Sequence, residues 1–434
     1  MTETVDLPLI KVPIVSEVDV LVIGGGPSGT AAAVCAARQG AMTMLVERYG
    51  YLGGLANGAM VIMLDDMCYA GEITVGGIVD EFMERLHKIG GLVKPRRQDL
   101  FKNNTELQKK YYWWGFLEGI GKSPFSSVEH RALFDVESSK QVLFNMICES
   151  GVKLKLHSWC VSAITSDNKV SGAIFFSKSG YYAIKSNIVI DTTGDGDVYS
   201  SSGARYVIGN YLISVPHFMI NVDTEKYIRF AEEHPAEIAK LDRQIKSIYG
   251  ITWTPWNRLT TIPGMVWCDA PHIRGYNALD IDDLTFIEIE GRRRIWKALE
   301  FLRKNYPGFE NASIVRTSDQ IGVRQSRLLV GEYVITLGDI RNHVRFPDTV
   351  GRGGGYFYPY RSFLPKEIDN LLVAGRHISL EPKAQRQARE IAPCMVTGQA
   401  VGTAAALALR RGVRVRDIDV SELQQILQEQ GAIL

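Results

Sequence analysis

The sequence predicts an α/β protein built on a parallel sheet, because strand-like and helix-like segments alternate near its start. An apolar, β-branched run at 18–23 predicts a buried strand, and the small residues of 30–38 predict a helix that Gly40 ends. A second apolar run at 42–46 predicts another strand. This order favours a βαβ unit, in which the two strands are parallel.

The turn between the first strand and the helix carries the pattern G-x-G-x-x-G at Gly24, Gly26 and Gly29, and Glu47 ends the second strand. The first glycine permits the tight turn, the second lets a pyrophosphate approach the backbone, and the third lets helix and strand pack closely. The helix N-terminus offers N–H groups to phosphates. An acid about 20 residues downstream suits a ribose hydroxyl. Together these features predict a Rossmann-like dinucleotide site.

The rest of the chain predicts further helices and strands, which we group into domains. Helices are predicted near 77–89, 134–150, 282–305 and 392–410, and strands within 152–190, with a hairpin turn at 166–169, and at 369–375. The predicted organisation is a discontinuous nucleotide domain (16–60, 128–204 and 365–434), a helical and aromatic insertion or lid (61–127, with Tyr111–Trp114), and a mostly β substrate domain (205–364).

Composition narrows the function classes. The 434 residues are 46% apolar, enough for a large core and two or three domains, and 49 Lys and Arg against 48 Asp and Glu leave a net charge of +1. That balance predicts neither nucleic-acid nor membrane binding. Six cysteines without a C-x-x-C pair predict no metal site, disulfide framework or redox pair. We expect a cytoplasmic protein, since no apolar run reaches about 18 residues.

Several segments resemble a known family. Residues 23–29, 47–48 and 53–54 are similar to the start of flavoproteins with the glutathione reductase-type FAD fold. More narrowly, the chain resembles the FAD-dependent oxidoreductase family from residue 16 to about 410, and the segments that carry this likeness are 321–333, 358–365, 370–379 and 392–406. The resemblance implies FAD as cofactor and a glutathione reductase-type α/β domain beside a second, mostly β substrate domain.

The resemblance also implies which residues bind each part of FAD. They are Gly24, Gly26, Pro27, Ser28 and Gly29 at the pyrophosphate, Glu47 at the adenosine ribose, Arg48 with the Cys160–Val161 strand at the adenine, Gly53 and Gly54 at the phosphate and ribityl end, and Thr193, Gly194 and Asp195 near the ribose and pyrophosphate.

The last FAD motif departs from the family pattern. Glutathione reductase-like enzymes place an Asp after the final Gly to bind the ribityl chain, whereas Gly375 is followed by Arg376. That contact must therefore differ or come from the backbone. Pro393 suits the first turn of the closing helix, so the N–H groups of Cys394, Met395 and Val396 are expected to face the flavin N1 and C2 carbonyl. An ordinary packing helix is the alternative.

Three residues are candidates for catalysis. His377 follows the last strand and has an ordinary pKa near neutrality, and Tyr360 and Arg361 belong to an aromatic and basic segment, in which Arg361 could clamp a carboxylate. Structural alternatives are a hydrogen-bonded loop histidine and an internal salt bridge. Arg324 and Arg327 are interpreted as holding the two domains together. Cys394 is a candidate for a low-pKa thiol, a covalent flavin link or simple packing, and His272, Trp253, Trp256 and Trp267 are candidate pocket residues.

The predicted function is an FAD-dependent oxidoreductase, a dehydrogenase or reductase that transfers a hydride between a small-molecule substrate and flavin N5. A second G-x-G-x-x-G unit is missing from the sequence, so we expect a transient electron acceptor or donor. The alternatives are a flavin monooxygenase that uses NAD(P)H and oxygen, and a non-catalytic FAD-binding protein. Substrate identity, reaction direction and oligomeric state stay open.

Overall fold

The computed structural model describes residues 10–118, 127–250 and 257–434. Its strands are β1 (Ile14–Ile23), β2 (Thr43–Val46), β3 (Met63–Leu64), β4 (Cys68–Tyr69), β5 (Glu72–Ile73), β6 (Leu92–Val93), β7 (Ala132–Phe134), β8 (Lys153–Lys155), β9 (Trp159–Ser166), β10 (Lys169–Ser177), β11 (Gly180–Asp191), β12 (Tyr206–Ile208), β13 (Ile213–Ser214), β14 (His217–Ile220), β15 (Asn257–Leu259), β16 (Val266–Cys268), β17 (His272–Ile273), β18 (Ser313–Thr317), β19 (Gly322–Val323), β20 (Arg327–Leu329), β21 (Thr349–Arg352), β22 (Phe357–Pro359) and β23 (Leu371–Val373).

The helices alternate with these strands. They are α1 (Pro27–Arg38), α2 (Gly54–Gly58), α3 (Ile78–Lys88), α4 (Thr105–Tyr112), α5 (Val136–Glu149), α6 (Asp197–Ser201), α7 (Thr224–Glu233), α8 (Pro235–Tyr249), α9 (Ile281–Asn305), α10 (Leu337–Arg341), α11 (Pro382–Gln385), α12 (Ile391–Arg411) and α13 (Val420–Glu429).

The main sheet has the strand order β8-β2-β1-β11-β10-β9, and β23 also pairs with β11. Strands β8, β2, β1, β11 and β23 are parallel, whereas β11, β10 and β9 form an antiparallel meander. The long strand β11 serves both parts: residues 180–185 pair with β10, and residues 189–191 pair with β23. The predicted α/β class with a parallel sheet is confirmed. The carboxyl ends of β1, β2, β11 and β23 share one edge, where α/β proteins place their ligands.

Residues 205–364 are not mostly β, and that part of the prediction is wrong. Beside short strands, this unit contains the helices α7, α8 and α9, of which α9 alone is 25 residues long. Asp223 and Asp280 cap α7 and α9 through their side chains, and Pro235 begins α8 at the position that favours proline. These caps stabilise helices in a stretch whose many aromatic residues suggest strands.

Helix α12 is the core of the nucleotide unit. It is long and apolar enough to cross a membrane by length and composition, yet its most apolar window is wholly buried inside the protein, as in a core helix of a globular domain. It packs against α1 almost backbone to backbone. A Cβ on Gly398 would overlap the carbonyl oxygen of Ser28, and one on Gly402 would overlap that of Ala32. The glycines of this helix therefore allow its close packing against α1.

The substitution Gly402→Val should destabilise the fold, because the new side chain would meet backbone that cannot rotate away. Overpacking in a core costs about 1–3 kcal/mol, and contact with rigid backbone belongs at the upper end of that range. Denaturant unfolding would measure the loss. The matched control is Gly338→Ala, where the nearest atom to a new Cβ is the Thr336 hydroxyl at 3.4 Å. Equal stability of both variants would contradict the prediction.

Candidate functional site

A cavity of about 460 Å³ lies where the loops after β1, β2 and β11 meet residues 211–324 of the second unit. Two groups of residues form its wall. One comes from the glycine turn, the end of β2 and the start of β9, and the other brings together buried arginines and acids from distant segments.

The glycine turn has the geometry that the sequence predicts. Gly24 has φ +103°, and a Cβ there would lie 2.5 Å from the carbonyl oxygen of Thr192, so only glycine fits. Gly29 packs against the Gly24 carbonyl. The space beside Gly26, in contrast, is open: the nearest atom to a Cβ would be the Gly54 Cα at 4.0 Å. Helix α1 starts directly after Gly26. This turn can hold a pyrophosphate against the first N–H groups of the helix.

Glu47 has a second task that the sequence did not reveal. Its Oε2 accepts a hydrogen bond from the Gly25 N–H at 2.5 Å, and its Oε1 accepts one from the Tyr49 N–H at 2.8 Å. Burial raises the pKa of this carboxyl, although these N–H donors work in the opposite direction. The carboxyl therefore braces the glycine turn. Each oxygen keeps lone-pair capacity for a ribose hydroxyl.

Arg48 lies between two aromatic rings at the wall of the cavity. Its guanidinium carbon is 5.1 Å from the Tyr49 ring centroid and 5.3 Å from that of Trp159, and a nitrogen lies 3.8 Å from Asp195. Aromatic faces and a guanidinium plane are surfaces on which a purine can stack. Sequence reasoning missed Trp159, although its position directly before Cys160 was a usable signal.

Arg376 explains the departure from the family pattern. Its guanidinium donates to the Val323 carbonyl at 3.0 Å, to the Asp195 carboxylate at 2.6 Å and to the Gly194 carbonyl. Ser326 also donates to Asp195, at 2.7 Å. Arg376 thus ties the loops after β11 and β23 to the second unit while it lines the cavity.

The second group of wall residues is rich in charge. Arg131, Arg258, Arg324 and Arg389 all line the cavity, together with acids from three segments. Most of the arginines have an acidic partner, and these ion pairs are Arg131 with Glu129, Arg324 with Asp269 at 2.8 Å, and Arg389 with Glu390 at 3.0 Å. Burial alone would raise the pKa of Asp269, but Arg324 and His272 hold it far below its usual range.

Asp65 is the acid in this group whose protonated form is favoured. Burial raises its pKa well above the usual range, and the charges of Glu390 and Asp66 raise it further, against Arg131 and Arg389. Its Oδ1 has no hydrogen-bond partner within the described part of the chain. A carboxyl with a raised pKa on a cavity wall is suited to hold and release a proton.

Many of the predicted cofactor residues are brought together on the wall of the cavity. Those that line it are Gly24, Gly26, Pro27, Ser28, Glu47, Arg48, Gly54, Cys160, Thr193, Gly194 and Arg376. Sequence reasoning missed Arg131, Arg258 and Arg389 as wall residues, and it assigned Arg324 to domain packing.

The other predicted cofactor residues do not line the cavity but support it. Gly29 and Gly53 hold the glycine turn, the latter through an N–H donated to the Gly25 carbonyl at 2.7 Å. Asp195 is engaged by Arg376 and Ser326 as described above. The side chain of Val161 faces solvent, the Gly375 N–H donates to the Thr397 hydroxyl, and Met395 and Val396 are buried in α12.

The closing helix begins earlier than Pro393 suggests. Its N-cap is Glu390, and the Cys394 N–H already donates to the Glu390 carbonyl at 2.9 Å. The first N–H groups therefore belong to Ile391 and Ala392, and Ile391 lines the cavity. Burial raises the pKa of the Cys394 thiol to about 12, and Glu390 contributes in the same direction, which favours packing over a low-pKa thiol.

His377 is a structural residue, which corrects its assignment to catalysis. It is buried outside the cavity wall, where its Nε2 lies 3.2 Å from Asp191 and its ring stacks on Tyr199 at 5.6 Å. Burial alone would raise the pKa of Asp191, but His377 and hydrogen bonds from Thr193 and the Tyr199 N–H lower it. The pair fixes the loop after β11.

Tyr360 and Arg361 also lie away from the cavity wall. The Tyr360 hydroxyl donates to the Val415 carbonyl at 2.6 Å inside the core. Arg361 makes a two-pronged contact with Asp348, at 2.9 and 3.1 Å, near the surface. The internal salt bridge that was the structural alternative is thus observed. Arg327 joins the units through the Asp195 carbonyl and Asp197, whereas Arg324 pairs within its own unit.

The aromatic cluster at 111–114 does not line the cavity. Trp113 packs edge to face on Tyr227 at 5.1 Å, and its carbonyl accepts the Leu259 N–H, so the cluster contacts the second unit. Trp267 does line the cavity, as predicted. His272 lies 3.7 Å from Asp269. Trp253 and Trp256 lie outside the described residues.

The chain belongs to the FAD dependent oxidoreductase family, whose model matches residues 19–357 and 352–427. The predicted family, cofactor and flavoprotein class are thereby confirmed. A search of curated proteins finds no match.

Solved structures share the fold at low sequence identity. The p-nitrophenol 4-monooxygenase PnpA from Pseudomonas putida is 11% identical, with a TM-score of 0.50, over 95% of this chain and 86% of that one. The myxobacterial chondrochloren halogenase CndH is 10% identical, with a TM-score of 0.50, over 95% and 78%. These similarities show that the chain has the fold of FAD-dependent enzymes.

The substitution Gly26→Val should abolish FAD binding without unfolding the protein, because its side chain would enter the open space that the glycine turn leaves. The flavin-to-protein absorbance ratio should fall below about a tenth of the wild-type value, since losing one well-formed phosphate contact costs more than 1.4 kcal/mol. Circular dichroism should stay unchanged. Full flavin occupancy in the variant would disprove a pyrophosphate site at this turn.

The substitution Asp191→Asn should lower the free energy of unfolding at pH 7 by about 3 kcal/mol, because it removes a buried carboxylate that accepts hydrogen bonds from the Thr193 hydroxyl and the Tyr199 N–H. The folded-state pKa of Asp191 is lowered, so its contribution is present above the unfolded value of about 3.9 and is lost as pH falls through that range. The difference from wild type should therefore shrink below about pH 4. Asp167→Asn, in an exposed turn, is the control. A difference that stayed constant with pH would contradict this prediction.

Proposed function

We propose that the protein is an FAD-dependent dehydrogenase or reductase that transfers a hydride between a small organic substrate and flavin N5. One observation carries the proposal: a single cavity joins a glycine turn suited to a pyrophosphate with buried, titratable groups from the second unit. The glycine turn accounts for a nucleotide cofactor. The buried arginines and acids in the second group of wall residues are not needed for a nucleotide, and we assign them to substrate binding.

The residues present fit FAD. The open space at Gly26 takes the pyrophosphate, Glu47 has capacity for a ribose hydroxyl, and the Arg48 and Trp159 planes suit the adenine. A glutathione reductase-type nucleotide domain is the arrangement we propose, supported by the parallel strands and the β9–β11 meander. Bound FAD supplies the two-electron chemistry, and the protein supplies binding, orientation and electrostatics.

We assign to Asp65 the transfer of the proton that accompanies hydride transfer. A hydride carries two electrons and one proton, so converting an alcohol to a carbonyl, or the reverse, needs a second proton to leave or arrive. Asp65 lines the cavity, and burial favours its protonated form. It can give that proton to the substrate in a reduction or take it up in an oxidation.

The experiment starts with the visible spectrum of the purified protein before and after acid precipitation. We expect oxidised-flavin bands that pass into the supernatant. In the absence of NAD(P)H and oxygen, alcohols or amines should then bleach the flavin, or unsaturated compounds should reoxidise flavin that has been reduced chemically. Consumption of NAD(P)H with oxygen uptake would instead indicate a monooxygenase. Flavin that no substrate, reductant or acceptor changes would indicate a non-catalytic protein.

The substitution Asp65→Asn tests whether Asp65 transfers the proton when a substrate reduces the flavin. The rate of bleaching by the active compound should fall at least about 100-fold, the lower range for general acid–base catalysis, while the FAD content stays unchanged. The matched control is Asp167→Asn, because Asp167 lies in an exposed turn and does not line the cavity. Equal rates in the two variants would remove Asp65 from the mechanism.

A further inference from the structure

We infer that the substrate carries a single carboxylate, which binds to Arg258 and to the indole N–H of Trp267. The inference rests on the proposed function only for the statement that the bound acid is a redox substrate. The expected binding of a carboxylate follows from the buried N–H donors of these two side chains and from the charges around them.

Arg258 and Trp267 are neighbours across two paired strands. They are directly paired residues of the antiparallel strands β15 and β16, and such pairs have Cβ atoms about 4.5–5.5 Å apart. Both residues line the cavity. An anion beside one of them is therefore within reach of the other.

Both side chains hold a buried donor that the protein leaves unused. The Trp267 Nε1 and the Arg258 Nη1 are buried, and neither has a hydrogen-bond partner in the parts of the chain that the structure describes. Gly115 lies against one side of the guanidinium, since a Cβ there would lie 2.2 Å from the Arg258 Nη1 and 2.9 Å from its Nε. Buried donors without partners are uncommon, because each loses its bond to water.

Arg258 has no ion-pair partner among the described residues, whereas Arg131, Arg324 and Arg389 each have an acid within ion-pair distance. Burial, with a smaller contribution from Arg131, lowers the pKa of Arg258 to about 10 against the attraction of Asp269 and Asp65, and at neutral pH the guanidinium is still protonated. Asp269 already pairs with Arg324, and burial favours the protonated form of Asp65. The Arg258 guanidinium thus has a positive charge with which a bound anion can pair.

One spare positive charge selects a monoanion. A carboxylate matches the planar fork of a guanidinium and accepts a further hydrogen bond from an indole N–H. A phosphate dianion would bring a second negative charge close to Glu390 and Asp269, which already balance their own arginines. Like charges in a buried site are strongly unfavourable.

Isothermal titration of the FAD-loaded protein with acetate and benzoate, each compared with its neutral amide, tests the inference. We expect at least one acid to bind at least about tenfold more tightly than acetamide or benzamide, which corresponds to about 1.4 kcal/mol, and more tightly than inorganic phosphate. Acids and amides that bind alike, or no acid that binds, would overturn the inference.

Variants locate the bound acid. Arg258→Met should weaken acid binding at least about tenfold, and Trp267→Phe, which keeps the ring and removes the N–H, should weaken it by a smaller factor. Arg361→Met is the control, because that arginine pairs with Asp348 near the surface. If Arg258→Met fails to fold, Trp267→Phe alone decides. Wild-type affinity in Trp267→Phe, or equal affinities in Arg258→Met and Arg361→Met, would refute the assigned donors.

Flavin absorbance, read on the same samples, separates this inference from the proposed function. A protein that discriminates acid from amide but shows no bleaching with any substrate would refute the redox role and leave the carboxylate site standing. A protein that is bleached by neutral compounds and does not discriminate would refute the carboxylate site and leave the oxidoreductase standing.

Discussion

The backbone contact between α1 and α12 is the constraint on which the nucleotide unit depends. Gly398 and Gly402 let α12 touch the carbonyls of α1, and Gly29 lets α1 touch the turn that leads into it. Helix α1 is thereby held from two sides, and its N-terminus has one possible position at the sheet edge. This packing leaves the space beside Gly26 open. The proposed phosphate site is thus a consequence of how closely three backbone segments approach.

The second unit is attached to this frame by buried polar contacts. Arg376 and Ser326 meet on Asp195, and Arg327 donates to the carbonyl of the same residue. Burial alone would raise the pKa of Asp195, but Arg376 and Arg48 lower it, so the carboxylate is charged where the units join. Removing a single member would leave the others buried and unpaired, which costs more than the pair contributes. The positions of the residues on the cavity wall therefore depend on the polar contacts that join the two units.

Local signals explain which parts could be predicted from the sequence. The strand, glycine turn, helix and acid from 18 to 47 act within one βαβ unit, so their spacing alone predicts their roles. Prediction failed where the position of a residue along the chain does not determine the direction in which its side chain points. His377 follows a strand that ends at the site, yet its ring turns into the core towards Asp191. Arg131, Arg258, Arg324 and Arg389 lie at least 65 residues apart along the chain, and only the fold shows that they meet.

Arg258 shows why a balanced overall composition says little about a site. The chain has a formal charge of +1 because its 49 Lys and Arg nearly balance its 48 Asp and Glu, and many of them pair at the surface. In the cavity, Arg131, Arg324 and Arg389 are paired in the same way, whereas Arg258 has no ion pair among the described residues. An unpaired buried charge is unfavourable for folding, and a better-packed apolar residue would stabilise the unit. Its place beside another unsatisfied donor, Trp267, is then best explained by a ligand that satisfies both. The local excess of donors, and not the total charge, carries the information about the substrate.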